Sequence, residues 1–197
     1  MTLLLASSSP YRRELLSRLH VPFSWQAPEV DEQPLAGESP QQLALRLSSS
    51  KAHALAEGHS ECLIIGSDQV ASCRGQSINK PGNHTGAFKQ LQALSGQRVH
   101  FYTGLCVLDG HSGRAIADTV TTEVVFRQLS DTDIENYLKC EPAYDCAGSF
   151  KAEGLGITLF EAIHSDDNTA IIGLPLIRLR QILEEFDYRV LEHLNRT

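Results

Sequence analysis

The sequence contains no apolar run of about 18 residues, which argues against a membrane-spanning helix. Residues 1–6 are mostly apolar, but they are too few for a secretory signal peptide and lack its basic start. The five cysteines are an odd number and form no CxxC pair or Cys/His cluster, so neither a disulfide framework nor a structural zinc site is predicted. These absences predict a protein of a reducing compartment, which we interpret as the cytoplasm.

Positive charge is also scarce. The formal net charge is −7 at pH 7, which argues against general binding to nucleic acid. An anionic small molecule can bind only where basic side chains or a metal ion gather locally. Repeats, linkers, a Walker A motif and a dinucleotide-binding fingerprint are all missing. With 197 residues the chain can form one large domain or two small lobes, and we predict a single domain over residues 1–197.

The most informative stretch is residues 62–70, in which four apolar residues run directly into Gly-Ser-Asp-Gln. Such a run predicts a strand buried on both faces, as in the middle of a mixed or parallel sheet. Gly66 is predicted to let the backbone turn or approach a ligand. Asp68 is predicted just past the end of the strand, where ligands collect in α/β sheets. It is a candidate metal ligand or general base, although a turn cap is the commoner role of such a residue taken alone.

The first 20 residues predict an anion site. Residues 2–6 predict a short strand, and after it Ser9 suits the N-cap of a helix whose first position is Pro10. The free N–H groups of a helix N-terminus bind anions, and the guanidinium groups of Arg12 and Arg13 can hold phosphate through paired hydrogen bonds. A capped surface helix with solvated arginines explains the same pattern equally well.

A loop at residues 27–32 contains three carboxylates within four positions: Glu29, Asp31 and Glu32. Clusters of this kind are mostly solvated surface. They are also the usual source of oxygen ligands for Mg²⁺ or Mn²⁺.

Two lysines lie in segments with clear local signals. A capping-box pattern and a proline predict a helix over residues 39–58, with Lys51 in its later part, where a lone lysine usually faces solvent. Lys80 precedes Pro81, which biases it towards extended geometry and predicts a defined loop.

The remaining pattern alternates helices and strands and ends in a glycine-rich segment and a last helix. Predicted helices span residues 85–94, 130–139 and 174–186; predicted strands span 99–108, 117–127 and 157–163; the glycine-rich segment is 146–156. Three glycines within nine residues indicate backbone lying close to another group.

Taken together and in order, these pieces resemble the Maf family, the septum-formation-inhibitor-like nucleotide pyrophosphatases. The matching motifs are residues 5–16, 29–32, 66–70, 80–81, 95–96, 103–104, 147–156 and 171–175. Each motif alone is weak, but the ordered set covers nearly the whole chain and is highly specific.

The resemblance implies an α/β fold with a long, twisted mixed sheet flanked by helices, and with two lobes around a central cleft. This is the architecture of Maf and inosine-triphosphatase-like proteins, which are often homodimers. It implies hydrolysis of a nucleoside triphosphate to a monophosphate and diphosphate, assisted by Mg²⁺, Mn²⁺ or Co²⁺. The expected partner is therefore a small nucleotide, with no nucleic acid and no membrane.

Site roles are carried over by position. Asp68 matches the proton acceptor and a metal neighbour, and Glu32 matches a second carboxylate beside the metal. The residues that match the family's phosphate site are Ser7, Arg12, Lys51 and Lys80; we add Arg13 to the phosphate set and assign Lys51 and Lys80 to catalysis as well. These cations and the metal would neutralise phosphate charge despite the net charge of −7.

Tyr11, Gln69 and Glu153 resemble the branch of the family that acts on 7-methyl-GTP, whereas the dTTP/UTP branch has Arg, Thr and Gln at these positions. An aromatic ring suits the cationic methylated purine, and a carboxylate can accept two N–H bonds from the guanine edge. Two alternatives remain open: a dTTP/UTP or broader-specificity pyrophosphatase, and a non-catalytic nucleotide-binding regulator of cell division. The presence of Asp68, Glu32 and Lys80 argues against the second alternative, since a pure binder needs no water-activating carboxylate.

Overall fold

A mixed sheet of seven strands forms the centre of the computed structural model, which describes residues 1–194. The strands are β1 (Thr2–Ala6), β2 (Phe23–Gln26), β3 (Cys62–Cys73), β4 (Gln76–Ile78), β5 (Arg98–Asp109), β6 (Ala115–Phe126) and β7 (Phe160–Ser165). The helices are α1 (Pro10–Ser17), α2 (Pro40–His53), α3 (His84–Leu94), α4 (Asp131–Cys140) and α5 (Leu176–Glu184). This confirms the predicted α/β class. The predicted domain also includes residues 195–197, which lie outside the described part.

The strand order is β2-β1-β3-β5-β6-β7, with β4 also paired to β3. β1 runs parallel to both β2 and β3, whereas every other pair is antiparallel. The sheet is therefore mixed, as the apolar run in β3 predicts for a central strand.

One side of β3 has a break in its pairing that we call the notch. β1 pairs with β3 up to Gly66, and β4 pairs with it from Ala71 onwards. Residues 67–70 of β3 lie between these two pairings. They pair with β5 on the opposite side of β3, and no described strand pairs with them on the side of β1 and β4. Asp68 thus lies within β3 and not beyond its end, so that prediction was wrong. The parallel pairing stops two residues earlier, which leaves Asp68 at an open position on the sheet.

α2 packs directly on the backbone of the central strands. A Cβ atom added at Gly66 would lie 2.1 Å from Ser48 O, and one added at Gly104 would lie 2.2 Å from Ala44 O. Gly66 therefore serves helix packing and not the turn or ligand approach that we predicted from it. The close contact brings the later part of α2, with Lys51, over β3.

The apolar core falls into two main clusters at opposite ends of β3 and β5, which correspond to the predicted lobes. One cluster packs Leu63, Ile65, Leu105 and Val107 with α1 and α5. The other packs Ala71, Val99 and Phe101 with α3 and α4. Because side chains alternate along a strand, Ser67, Gln69 and Thr103 share one face of the sheet, and they lie between the two clusters. Polar side chains therefore mark the boundary between the lobes.

Three local predictions differ from the structure, and the first is the end of α2, which is His53 and not residue 58. The sequence pattern did not reveal β2, a short edge strand whose residues are mostly exposed and therefore lack the apolar alternation of a half-buried strand. Residues 157–163 were predicted as one strand, but Leu155–Leu159 forms a 3₁₀ helix and β7 begins at Phe160. The side chain of Glu141 accepts the N–H groups of Leu155 and Gly156, which stabilises the helical turn instead.

Within residues 1–194, no helix combines the length and the apolar character required to cross a bilayer.

Candidate active site

A cavity of about 1110 Å³ opens at the notch, and we call it the cleft. Its walls come from the β1–α1 turn, α2, the middle of β3, the segment after β4 and the glycine-rich segment. The predicted site residues that line it are Tyr11, Arg12, Glu32, Lys51, Asp68, Gln69, Lys80 and Glu153. Eight residues from six separate parts of the sequence therefore share one cavity.

Lys51 is the centre of an ion-pair cluster on the wall of the cleft. Its Nζ lies 2.5 Å from Asp68 Oδ1 and 2.7 Å from Glu32 Oε1. The side chains of Lys51 and Asp68 are only 9% and 13% exposed, whereas that of Glu32 is 60% exposed. Lys51 does not have the solvent-facing role that is usual for a lone lysine, because its buried ammonium group needs anionic partners and has two.

The same cluster changes the acidity of Glu32. The pKa of Glu32 is lowered, mainly by its hydrogen bond from Lys51 and also by the positive charges of Lys51, Lys80 and Arg12, while partial burial opposes the change. Glu32 therefore stays ionised at a lower pH than an ordinary glutamate.

Arg12 brings a second cation to the cluster. Its Nε donates to Gly173 O at 2.8 Å, which fixes the guanidinium group, and its Nη atoms donate to no residue in the described part of the chain. Burial lowers the pKa of Arg12, and the charges of Asp68 and Glu32 oppose that effect. The Nη groups can therefore donate to a bound anion.

Ser7 and Arg13 are the two predicted phosphate residues that do not line the cleft. Ser7 is buried, and its Oγ accepts the N–H of Ser9 at 3.1 Å, so it shapes the turn before α1. The guanidinium group of Arg13 lies over the ring of Trp25, 4.1 Å from the ring centroid. The structure brings Arg12 to the cleft and places Arg13 against Trp25 of β2, as expected for adjacent positions on a helix, which do not face the same way.

The side-chain amide of Gln69 is oriented by three acceptors. Its Nε2 lies 3.0 Å from Thr103 Oγ1, 2.8 Å from Ala170 O and 3.1 Å from Ile171 O. The Thr103 hydroxyl in turn donates to Ala170 O at 2.9 Å. These contacts assign the nitrogen to the protein side, which leaves the Oε1 of Gln69 as an acceptor for a ligand in the cleft.

Tyr11 and Glu153 line the cleft together with Lys151, a residue that the sequence did not point to. The Nζ of Lys151 is 5.8 Å from the centroid of the Tyr11 ring. The pKa of Lys151 is raised, mainly by the neighbouring Tyr11 hydroxyl. Lys151 lies two positions before Glu153 in the glycine-rich segment, and that proximity was the available signal. Glu153 is exposed and is available to a ligand.

The carboxylates available for a divalent metal are few. Within residues 1–194 no group of three or more His, Cys, Asp and Glu side chains is arranged to hold a metal ion. Asp68 and Glu32 supply two carboxylates on one ammonium group. Mg²⁺ is usually held by one or two carboxylates together with substrate phosphates, so this pair fits a site that a nucleotide completes.

The chain is similar to known proteins over nearly its whole length. A family model described as "Maf-like protein" matches residues 2–186. A protein of Cupriavidus metallidurans named 7-methyl-GTP pyrophosphatase is 54% identical over 186 residues, which cover 94% of each chain. Proteins with the same name from Paraburkholderia xenovorans and Albidiferax ferrireducens are 55% and 51% identical, covering 96% of this chain and 94% and 95% of their own.

Proposed function

The chain belongs to the Maf family, and from that premise we propose that it hydrolyses 7-methyl-GTP to 7-methyl-GMP and diphosphate. The names of its relatives support this substrate. The observation that carries the proposal is the Lys51–Asp68–Glu32 cluster at the notch, in the same cavity as Tyr11 and Gln69.

We propose Asp68 as the proton acceptor for the attacking water. Its carboxylate lines the cleft, and the bond from Lys51 to Oδ1 holds it in one orientation. The second oxygen, Oδ2, can then accept a proton from a water molecule placed between it and a bound phosphate. Lys51 prevents rotation of the carboxylate, which keeps the base in position for an in-line attack.

Phosphate charge has to be neutralised for the α–β bond to break. We propose that Arg12 donates its Nη groups to phosphate oxygens and that Lys80, which is exposed on the cleft wall, contributes a second cation. Glu32 and Asp68 would hold the Mg²⁺, Mn²⁺ or Co²⁺ ion that accompanies the nucleotide. When bound, this ion supplies further charge neutralisation to the phosphates.

The base would be recognised by two acceptors and an aromatic ring. Guanine and 7-methylguanine present adjacent N–H donors, which match the Oε1 of Gln69 and the carboxylate of Glu153. Thymine and uracil present carbonyl groups, which a carboxylate repels. The positive charge of 7-methylguanine additionally favours the face of the Tyr11 ring.

Steady-state turnover on a panel of triphosphates tests this proposal. The panel contains 7-methyl-GTP, GTP, dTTP, UTP and ATP, and phosphorus NMR identifies the products. We expect the highest kcat/KM for 7-methyl-GTP, with diphosphate and a monophosphate as products. A preference for dTTP or UTP would favour the broader pyrophosphatase, and binding without turnover would favour a nucleotide-binding regulator. Orthophosphate with a nucleoside diphosphate would reject cleavage at the α–β bond.

Metal removal is a separate arm of this experiment. Excess EDTA is expected to abolish turnover, and Mg²⁺, Mn²⁺ or Co²⁺ added above the chelator is expected to restore it. Full activity in EDTA would remove the metal from the mechanism while leaving the substrate assignment intact.

We also propose a cytoplasmic homodimer. The free state of all five cysteines supports a reducing compartment. The dimer follows from the family resemblance, and light scattering coupled to size-exclusion chromatography measures it directly.

A further inference from the structure

The segment of residues 151–156, which we call the base loop, contributes Lys151 and Glu153 to the cleft but has no strand to hold it. It begins after the buried Phe150 and leads into the 3₁₀ helix Leu155–Leu159. Within the loop, the N–H of Gly154 donates to Lys151 O at 3.2 Å and closes a short turn. Its position must therefore come from contacts with other elements.

Three hydrogen bonds join the two ends of the base loop to Tyr137 and Glu141 at the end of α4, and a fourth links these two residues to each other. The carboxylate of Glu141 accepts the N–H groups of Leu155 at 3.3 Å and Gly156 at 3.2 Å. The hydroxyl of Tyr137 donates to Glu141 Oε2 at 3.0 Å and accepts the N–H of Lys151 at 3.3 Å. Tyr137 is buried, so this anchor is part of the packed lobe.

The loop is also folded tightly around the carboxylate. A Cβ atom added at Gly154 would lie 2.2 Å from Glu141 Oε1, so a larger residue next to Glu153 would displace the carboxylate from its present position. Burial raises the pKa of Tyr137, and its hydrogen bond to Glu141 raises it further, so the phenol keeps the proton that it donates. Neither Glu141 nor Tyr137 lines the cleft.

We propose that Glu141, supported by Tyr137, is a positioning residue for base selection: it holds the base loop so that Glu153 faces the nucleotide base. This inference rests on the proposed function, because it assigns Glu153 to the base. Glu141 itself touches no nucleotide and acts through Glu153.

The chain offers a graded series of variants. Glu141→Ala removes both acceptors, and Glu141→Gln keeps one carbonyl oxygen for one of the two loop N–H groups. Tyr137→Phe removes the bond to Lys151 N and the donor to Glu141. Ser130→Ala is the matched control, because it removes the N-cap of the same helix and leaves the loop contacts intact.

The readout is the ratio of kcat/KM for 7-methyl-GTP to kcat/KM for dTTP. We expect this ratio to fall about tenfold in Glu141→Ala and by an intermediate factor in Glu141→Gln and Tyr137→Phe, in line with one or two lost bonds to the loop. Ser130→Ala should keep the wild-type ratio even if its melting temperature falls. Hydrogen exchange of residues 151–156 should speed up in the Glu141 and Tyr137 variants and not in the control.

A double-mutant cycle separates positioning from general damage. If Glu141 acts through Glu153, then Glu141→Ala added to Glu153→Gln should leave the ratio of the Glu153→Gln enzyme unchanged within about twofold. A further fall in the double variant, or a wild-type ratio in Glu141→Ala, would overturn the inference. If Glu141→Ala does not fold, Glu141→Gln and Tyr137→Phe decide it by the same measurements.

Failure of the underlying function has a different signature. A wild-type enzyme that does not prefer 7-methyl-GTP over dTTP would reject the substrate assignment before any variant is compared.

Discussion

The Nζ of Lys51 lies 2.5 Å from Oδ1 of Asp68, so the carboxylate that we propose as the base is paired with a cation before any nucleotide binds. One oxygen of Asp68 is occupied by this bond. The other is left for a water molecule or a metal ion. Lys51 also binds Glu32, so a single ammonium group sets the relative position of both proposed metal ligands.

Asp68→Asn keeps the size of the side chain and removes its ability to accept a proton. We expect turnover of 7-methyl-GTP to fall by about two orders of magnitude or more, in the range typical of general-base loss. The melting temperature should change little, because Lys51 keeps Glu32 as a partner and the amide oxygen can still accept its hydrogen bond. Steady-state kinetics and thermal unfolding measure the two effects. Near-normal turnover would reject Asp68 as the base.

Lys51→Met keeps the aliphatic part of the side chain and leaves Asp68 and Glu32 without their shared cation. The pKa of Glu32 should rise, since its largest lowering cause is lost, and NMR titration of that carboxyl measures the change. We expect kcat/KM at neutral pH to fall about tenfold or more, as for a lost charged hydrogen bond. Lys139→Met, which removes an exposed lysine paired with Glu135, is the control. An unchanged Glu32 titration would contradict the proposed coupling.

Ion pairing of Glu32 predicts a pH-dependent part of stability. A carboxyl group whose pKa is lower in the folded chain stabilises the fold above its unfolded pKa, about 4.3 for glutamate. That stabilisation is lost as the pH falls through the lowered folded pKa. The difference in unfolding free energy between wild type and Glu32→Gln should therefore be constant above about pH 6 and shrink below about pH 4. Urea denaturation measures it, with Glu29→Gln as the control; a difference that does not vary with pH would refute the linkage.

Base selection is predicted to depend on Glu153 and Tyr11. Glu153→Gln replaces one acceptor with a donor, so activity on 7-methyl-GTP should fall and discrimination against dTTP and UTP should relax. Tyr11→Ala should lower kcat/KM for 7-methyl-GTP more than for GTP, because a cation over an aromatic ring gains roughly 0.5–2 kcal/mol. We would compare kcat/KM for all four nucleotides in wild type and both variants. Rates that change while their ratios stay constant would show that neither residue reads the base.

Local signals in the sequence determined most of the elements. The side chains of Ser9 and Ser39 cap α1 and α2 at the positions that their patterns predict. Caps and apolar periodicity depend on neighbours within a few residues, so they can be recognised before the chain is folded. The ordered motifs likewise identified the family.

The site depended on pairings between distant segments. The burial of Lys51 follows from Asp68 and Glu32, which lie 17 and 19 positions away and meet it only when α2 packs on Gly66. The exposure of Asp68 to the cleft follows from where β1 stops and β4 begins, a property of strand register that a buried apolar run does not encode.

The tertiary structure also separated residues with similar local signals. Arg12 and Arg13 carry the same charge at adjacent positions, yet one faces Gly173 in the cleft and the other packs on Trp25, because successive helix positions point about 100° apart. Glu141 carried no sequence signal, since its role comes from backbone N–H groups that reach it only after the base loop has folded against α4. Sequence determined which chemical groups are present, and long-range packing decided which of them meet.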